Sequence, residues 1–102
     1  MKLRITKLNG TNTVQLNGDL DIYNVEAARD ELLNHIAGQP ALDLDLGGVE
    51  TCDAAGMQLL LAVRRSTLAN GKPFFIQSPA APVVKCAELL GISPELCQPH
   101  IH

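Results

Sequence analysis

The sequence predicts a small α/β domain: a four-stranded mixed sheet in the order β-β-α-β-α-β-α, with the helices packed mainly on one face. Three observations carry this expectation. Two alternating segments separated by Asn9-Gly10 open the chain. Leu42-Asp43-Leu44-Asp45-Leu46 places three Leu on one side of a strand and two Asp on the other. Two stretches of helical period each lead back into a short apolar run.

Residues 3–8 and 13–17 alternate apolar with polar, as half-buried strands do, and Asn9-Gly10 with Thr11-Asn12 supplies the reversal of a hairpin. Gly18-Asp19 is expected to end the second strand. From Asn24 the period changes, and Val25, Ala28, Leu32 and Ile36 share one helical face. Asn24 is the expected N-cap, Glu26 suits the positive helix start, and Gly38 with Pro40 closes the segment. The Leu42–Leu46 strand follows, its two Asp assigned to a solvated face, with Gly47-Gly48 loosening its exit. Asp53 is a strong N-cap for a helix from Ala54 to Leu68 that is apolar round much of its girth. Arg64 and Arg65 are expected late in that helix, at the negative end of its dipole, before an Asn70-Gly71 cap. Residues 73–78 form a short apolar strand, Pro82 begins a third helix that ends at Gly91, and residues 93–96 make one capped turn. Residues 1–97 are expected to form a single domain, with 98–102 a short C-terminal tail.

Composition narrows the function classes. The chain has 102 residues, no Trp, one Tyr and two Phe, which leaves no aromatic platform for stacking single-stranded nucleic acid. Eight basic against eleven acidic residues give a formal charge of −3, a poor basis for binding phosphate backbones. No apolar run approaches the ~20 residues of a membrane span, and the alternating start lacks the apolar stretch of a signal peptide. A cytoplasmic protein is therefore expected. Cys52, Cys86 and Cys97 are odd in number, without C-x-x-C spacing, and are expected to be ordinary small side chains in a reducing compartment. His35, His100 and His102 are scattered, so no metal site and no cofactor are expected.

Ligands of open α/β sheets gather beyond the carboxyl ends of the parallel strands. Asp19, Asp21 and Asn24 emerge there after the second strand, Glu50, Thr51 and Asp53 after the third, and Ser78 after the fourth. The segment Asp53-Ala54-Ala55-Gly56-Met57 is unusual for the first turn of a buried helix, because Gly56 costs about 1 kcal/mol of helix propensity. Close helix–sheet packing is one explanation. The other is a docking surface, with Asp19, Asp21, Asn24, Asp53, Ala54, Ala55, Gly56 and Met57 as the expected contact residues.

Residues 42–49 followed by Asp53-Ala54-Ala55-Gly56-Met57-Gln58-Leu59-Leu60 resemble the signature of STAS domains, which include the anti-sigma-factor antagonists of bacterial partner switching. Gly18-Asp19-Leu20-Asp21 is similar to that family's G-[ED]-L-D motif, and Leu89-Leu90-Gly91-Ile92 to the usual end of its later helix. The resemblance runs from about residue 3 to 96 with element order agreeing. It implies a non-catalytic module that binds a protein partner, an anti-sigma factor or related kinase, and that is monomeric when free. In those antagonists the residue after the capping Asp carries a hydroxyl that the partner kinase phosphorylates. Ala54 and Ala55 stand here, so the usual switch is absent. By resemblance, Asp21 matches an acidic residue near the phosphorylation site. The same resemblance admits an accessory subunit of a phospholipid transporter, docked on its ATPase, or a component of a chemotaxis or other signalling cluster.

A reading from another class is a receiver-like phosphoacceptor, which needs an acidic pair for Mg²⁺, a phosphoacceptor Asp, a hydroxyl and a Lys at successive strand ends. Asp19, Asp21, Asp53 and Ser78 offer part of that set, but Lys72 precedes its strand and the chain opens on a hairpin. No G-x-G-x-x-G or P-loop supports nucleotide binding, and no His lies near the acidic strand ends to support triad chemistry.

Overall fold

Strand β1 (Lys2–Leu8) and strand β2 (Thr11–Leu20) form the opening hairpin, antiparallel from Lys2 opposite Asn17 to Leu8 opposite Thr11. Helix α1 (Val25–Ile36), strand β3 (Leu42–Cys52), helix α2 (Ala54–Ala69), strand β4 (Phe74–Gln77) and helix α3 (Ala81–Leu89) complete the order. This computed structural model describes residues 2–8 and 11–92, with side chains from Thr13 onward. The sheet is four-stranded, in the order β1-β2-β3-β4. Strands β2, β3 and β4 run parallel and β1 is the antiparallel edge, so the sheet is mixed as expected.

Alternation sorts the residues onto two faces. Val14 and Leu16, then Leu42, Leu44 and Leu46, then Phe74 and Ile76 are buried on the side the helices cover. There they meet Ala28, Leu32 and Ile36 of α1, Met57, Leu59, Leu60 and Val63 of α2, and Val83 and Ala87 of α3, in one core. Full burial of each large side chain contributes about 1.5–3 kcal/mol, and this term holds α2 on the sheet.

On the opposite face Thr13, Gln15, Asp43, Asp45 and Gln77 form a hydrogen-bonded ladder. The Thr13 hydroxyl donates to Asp43 Oδ2 at 3.2 Å, Gln15 Nε2 to Asp45 Oδ2 at 3.2 Å, and Gln77 Nε2 to Asp43 Oδ2. This corrects the expectation for Asp43, which is only 7% exposed. Neighbouring side chains cover it, and its Oδ1 is buried with no hydrogen-bond partner among the described residues.

Further corrections concern element ends. Strand β3 does not stop at Leu46, nor β2 at Gly18. Ladder hydrogen bonds are made by the main chain, so Gly47 and Gly48 stay in the strand. The pairing resumes after an irregularity with Asn17 opposite Gly48, and runs to Leu20 opposite Cys52. Arg64 and Arg65 fall before the last turn of α2, which has no basic residue. Asn70 caps that helix as expected, followed by Gly71 at φ +72°, the left-handed conformation that suits glycine at this position. Lys72 Nζ donates to the Ile36 carbonyl at 2.7 Å, satisfying the end of α1. Helix α3 begins one residue before Pro82 and ends at Leu89. The expected turn at 93–96 and the tail at 98–102 lie outside the described residues.

Candidate functional site

The register of β2 on β3 brings their carboxyl ends side by side, Leu20 opposite Cys52, with α2 starting two residues later. Asp53 joins these segments. Its N–H donates to the Leu20 carbonyl at 3.2 Å, its Oδ1 accepts from Gly56 N at 2.9 Å, and its Oδ2 accepts from Ile22 N at 3.2 Å. One carboxylate thus caps α2 and ties down the turn that leaves β2. Asp21 fixes the rest of that turn: its Oδ1 accepts from Tyr23 N at 3.1 Å and Asn24 Nδ2 at 3.0 Å, and its carbonyl accepts from the Asn24 and Val25 amides. Asn24 Nδ2 also donates to the Asp19 carbonyl at 2.9 Å, and Thr51 Oγ1 donates to Asp19 Oδ1 at 2.9 Å.

Asp19, Asp21, Asn24, Asp53, Ala54 and Ala55 therefore share one end of the molecule. Asn24 occupies the N-cap position of α1 but makes no side-chain cap hydrogen bond, because its amide is turned back onto Asp19 and Asp21. Two expected contact residues need correction. Met57 is 0% exposed, and Gly56 is buried against β2. A Cβ on Gly56 would overlap the Leu20 carbonyl oxygen and stand 2.8 Å from Leu20 Cγ. Close helix–sheet packing accounts for this glycine, and the free face of the helix start is Ala54, with half-buried Ala55 beside it. Ser78 is a third correction. Strand β4 ends opposite the middle of β3, with Gln77 beside Asp45, and Ser78 lies against Gly47. Some six residues of β3 separate it from Asp53, roughly 20 Å at strand spacing, which takes Ser78 out of the receiver-like set.

Sequence reasoning missed Ile22 and Tyr23. They are 64% and 90% exposed although their backbone is fastened by Asp53 and Asp21. Phase was a signal for Tyr23 alone, which falls off the Val25, Ala28, Leu32, Ile36 face; Ile22, three residues before Val25, continues that series, and its exposure comes from lying outside the helix. Beside them an open groove of about 380 Å³ runs between α1 and α2, lined by Val25, Glu26, Arg29, Ala55 and Gln58 among others.

Burial pushes the Cys52 thiol up to about 12, with the neighbouring Cys86 thiol and the Asp53 carboxylate adding to the rise. Burial also lowers His35 of α1. Among the described residues no three His, Cys, Asp or Glu side chains come together as a metal site, and no helix is long and apolar enough to cross a membrane.

A family model described as "Mlab, STAS domain" matches residues 3–97. RsbS of Moorella thermoacetica is similar at 21% identity and a TM-score of 0.75, over 100% of this chain and 88% of that one. The anti-sigma factor antagonist SpoIIAA in its unphosphorylated form is similar at 21% identity and a TM-score of 0.71, over 91% and 84%. An anti-sigma factor antagonist from Mycobacterium paratuberculosis is similar at 22% identity and a TM-score of 0.71, over 88% and 77%.

Proposed function

The chain belongs to the STAS domain family, and on that footing we propose that it is a non-catalytic, protein-binding module of a bacterial partner-switching system, resembling an anti-sigma-factor antagonist. It works in the cytoplasm, is monomeric when free, needs no metal or cofactor, and docks an anti-sigma factor or related kinase across the carboxyl ends of β2 and β3. One observation carries the reading: Ile22 and Tyr23 stand in solvent on a turn held by Asp53 and Asp21, next to the low surface of Ala54 and Ala55. A solvent-exposed aromatic on a preorganised backbone is the kind of anchor that dominates protein interfaces, and small neighbours let a partner approach closely. Asp19, Asp21 and Asn24 supply the polar rim.

The acidic groups argue for structure over chemistry. Asp19, Asp21 and Asp53 each accept hydrogen bonds that shape the turn, hold the Thr51 hydroxyl or cap the helix, which commits them to structure. With no hydroxyl on Ala54 or Ala55, a partner kinase finds nothing to phosphorylate at the helix start, and the module stays competent for binding. The same absence favours a second reading, a permanent accessory subunit docked on a transporter ATPase, since a constitutive contact needs no phosphate switch. Phosphate found by mass spectrometry on Thr51 or Ser78 of protein from its native cells would contradict constitutive binding in either case.

Photocrosslinking in the native cells tests the surface. A photoreactive amino acid at Tyr23 or Ala54 is expected to capture one protein in high yield. The same group at Arg65, exposed on α2 about three turns away, is expected to capture none of it. Equal capture at Arg65, or no capture from Tyr23 and Ala54, would overturn the assignment.

A further inference from the structure

Cys52 closes β3 and Cys86 lies in the second half of α3, far apart in sequence. Folding brings both thiols to one open hollow of about 280 Å³, whose lining includes Thr51, Pro82, Lys85 and Leu89. Neither is in a disulfide, and both are half-buried, so a small reagent reaches them while a protein surface does not. The Cys52 thiol donates to the Asp53 carbonyl at 3.7 Å, and the Cys86 thiol is near enough to add to the rise in its pKa. Two free thiols that line one hollow from separate elements are placed to be joined by an S–S bond of ~2.05 Å.

We propose that Cys52 and Cys86 are a modification site: a reversible intrachain disulfide, formed by exchange with a low-molecular-weight disulfide of the glutathione class. Cys86 gives up its proton to solvent and its thiolate attacks one sulfur of the reagent. The reagent's S–S bond breaks, and half of it leaves as a thiolate that takes up a proton. Cys52 then loses its proton and attacks the Cys86 sulfur of the mixed disulfide, expelling the second half as a thiol. The two protein thiols are oxidised to one disulfide and the reagent disulfide is reduced to two thiols. The order follows from the environment. Burial keeps Cys52 protonated at neutral pH, so it does not begin the exchange. Once Cys86 is capped, Cys52 lines the same hollow as the mixed disulfide, so its attack is intramolecular. The product ties α3 to the residue preceding Asp53, and so to the strand end from which the docking surface is built.

The test uses the full chain with Cys97→Ser, which leaves these two thiols alone, in graded mixtures of oxidised and reduced glutathione, quenched in acid and weighed intact. The expected product has lost two hydrogens, with both thiols disappearing together. Proteolytic mapping joins Cys52 to Cys86, and dithiothreitol restores the starting mass. Adding Cys52→Ser is expected to halt the exchange at one glutathione on Cys86. Glutathione accumulating independently on both cysteines, a disulfide between chains, or two thiols that persist through the most oxidising mixture would overturn the proposal.

Discussion

Gly56→Ala is the substitution that best separates packing from docking at the start of α2. In an ordinary exposed helix it would gain about 1 kcal/mol of propensity. Here the new methyl would overlap the Leu20 carbonyl oxygen and stand 2.8 Å from Leu20 Cγ and 2.9 Å from Leu20 C. Leu20 is fully buried, and its carbonyl holds the Asp53 amide, so neither partner gives way freely. Relief requires the first turn of α2 to lift from β2, carrying Met57 with it. Overpacking of this kind costs about 1–3 kcal/mol, and weakening the Asp53–Leu20 hydrogen bond costs about 1 kcal/mol more. Against the propensity gain, a net loss of about 1–3 kcal/mol remains, or roughly 4–8 °C of Tm per kcal/mol at this size. Urea unfolding followed by circular dichroism reads it, with Gly38→Ala as the control, because a Cβ there meets nothing within 4 Å. A Gly56→Ala protein as stable as wild type, or more so, would refute the packing argument.

Two further predictions concern groups away from that surface. Asp43→Ala strips the Thr13 hydroxyl and the Gln77 amide of their shared acceptor and is expected to cost about 1–3 kcal/mol in urea unfolding, whereas Asp45→Ala, on a less buried rung, costs under about 1 kcal/mol. Burial lowers His35 from its ordinary 6.5, so between its depressed folded value and 6.5 the unfolded chain binds more protons than the native one. Stability therefore falls as pH drops below about 6.5, and thermal melts of wild type against His35→Gln are expected to diverge in that direction only. A difference that stays flat, or grows towards alkaline pH, would contradict it.

Much of the architecture was legible because its signals are local. The Leu42-Leu44-Leu46 alternation, the Asp53 cap and the Asn70-Gly71 stop depend on residue type and spacing, and the structure places each as read. The failures share a different cause. Strand β3 runs on through Gly47-Gly48 because β2 offers it a main-chain ladder, which no side-chain pattern records. Met57 looked like a surface contact because it follows a small, exposed turn. Its burial is decided by which side of α2 rests on β2. Asn24 had the residue type of a cap, but its amide serves Asp19 and Asp21. The neighbourhood of Cys52 and Cys86 and the outward position of Tyr23 are likewise products of how α3 and the β2–α1 turn pack.

The central claim is that a partner seats directly on the start of α2, and the affinity of Ala54→Asp for the protein captured by crosslinking tests it most directly. Ala54 is exposed at the first helical position, where an added carboxylate gains about 0.3–1 kcal/mol from the helix dipole, so the variant should fold. In the complex that charge would be buried beside Asp53 without a partner, at a cost of about 2–5 kcal/mol. Calorimetry is therefore expected to show binding weakened about 30-fold or more for Ala54→Asp and nearly unchanged for Ala54→Ser. Equal affinity for wild type, Ala54→Ser and Ala54→Asp would contradict the claim and move the docking surface off this end of the sheet.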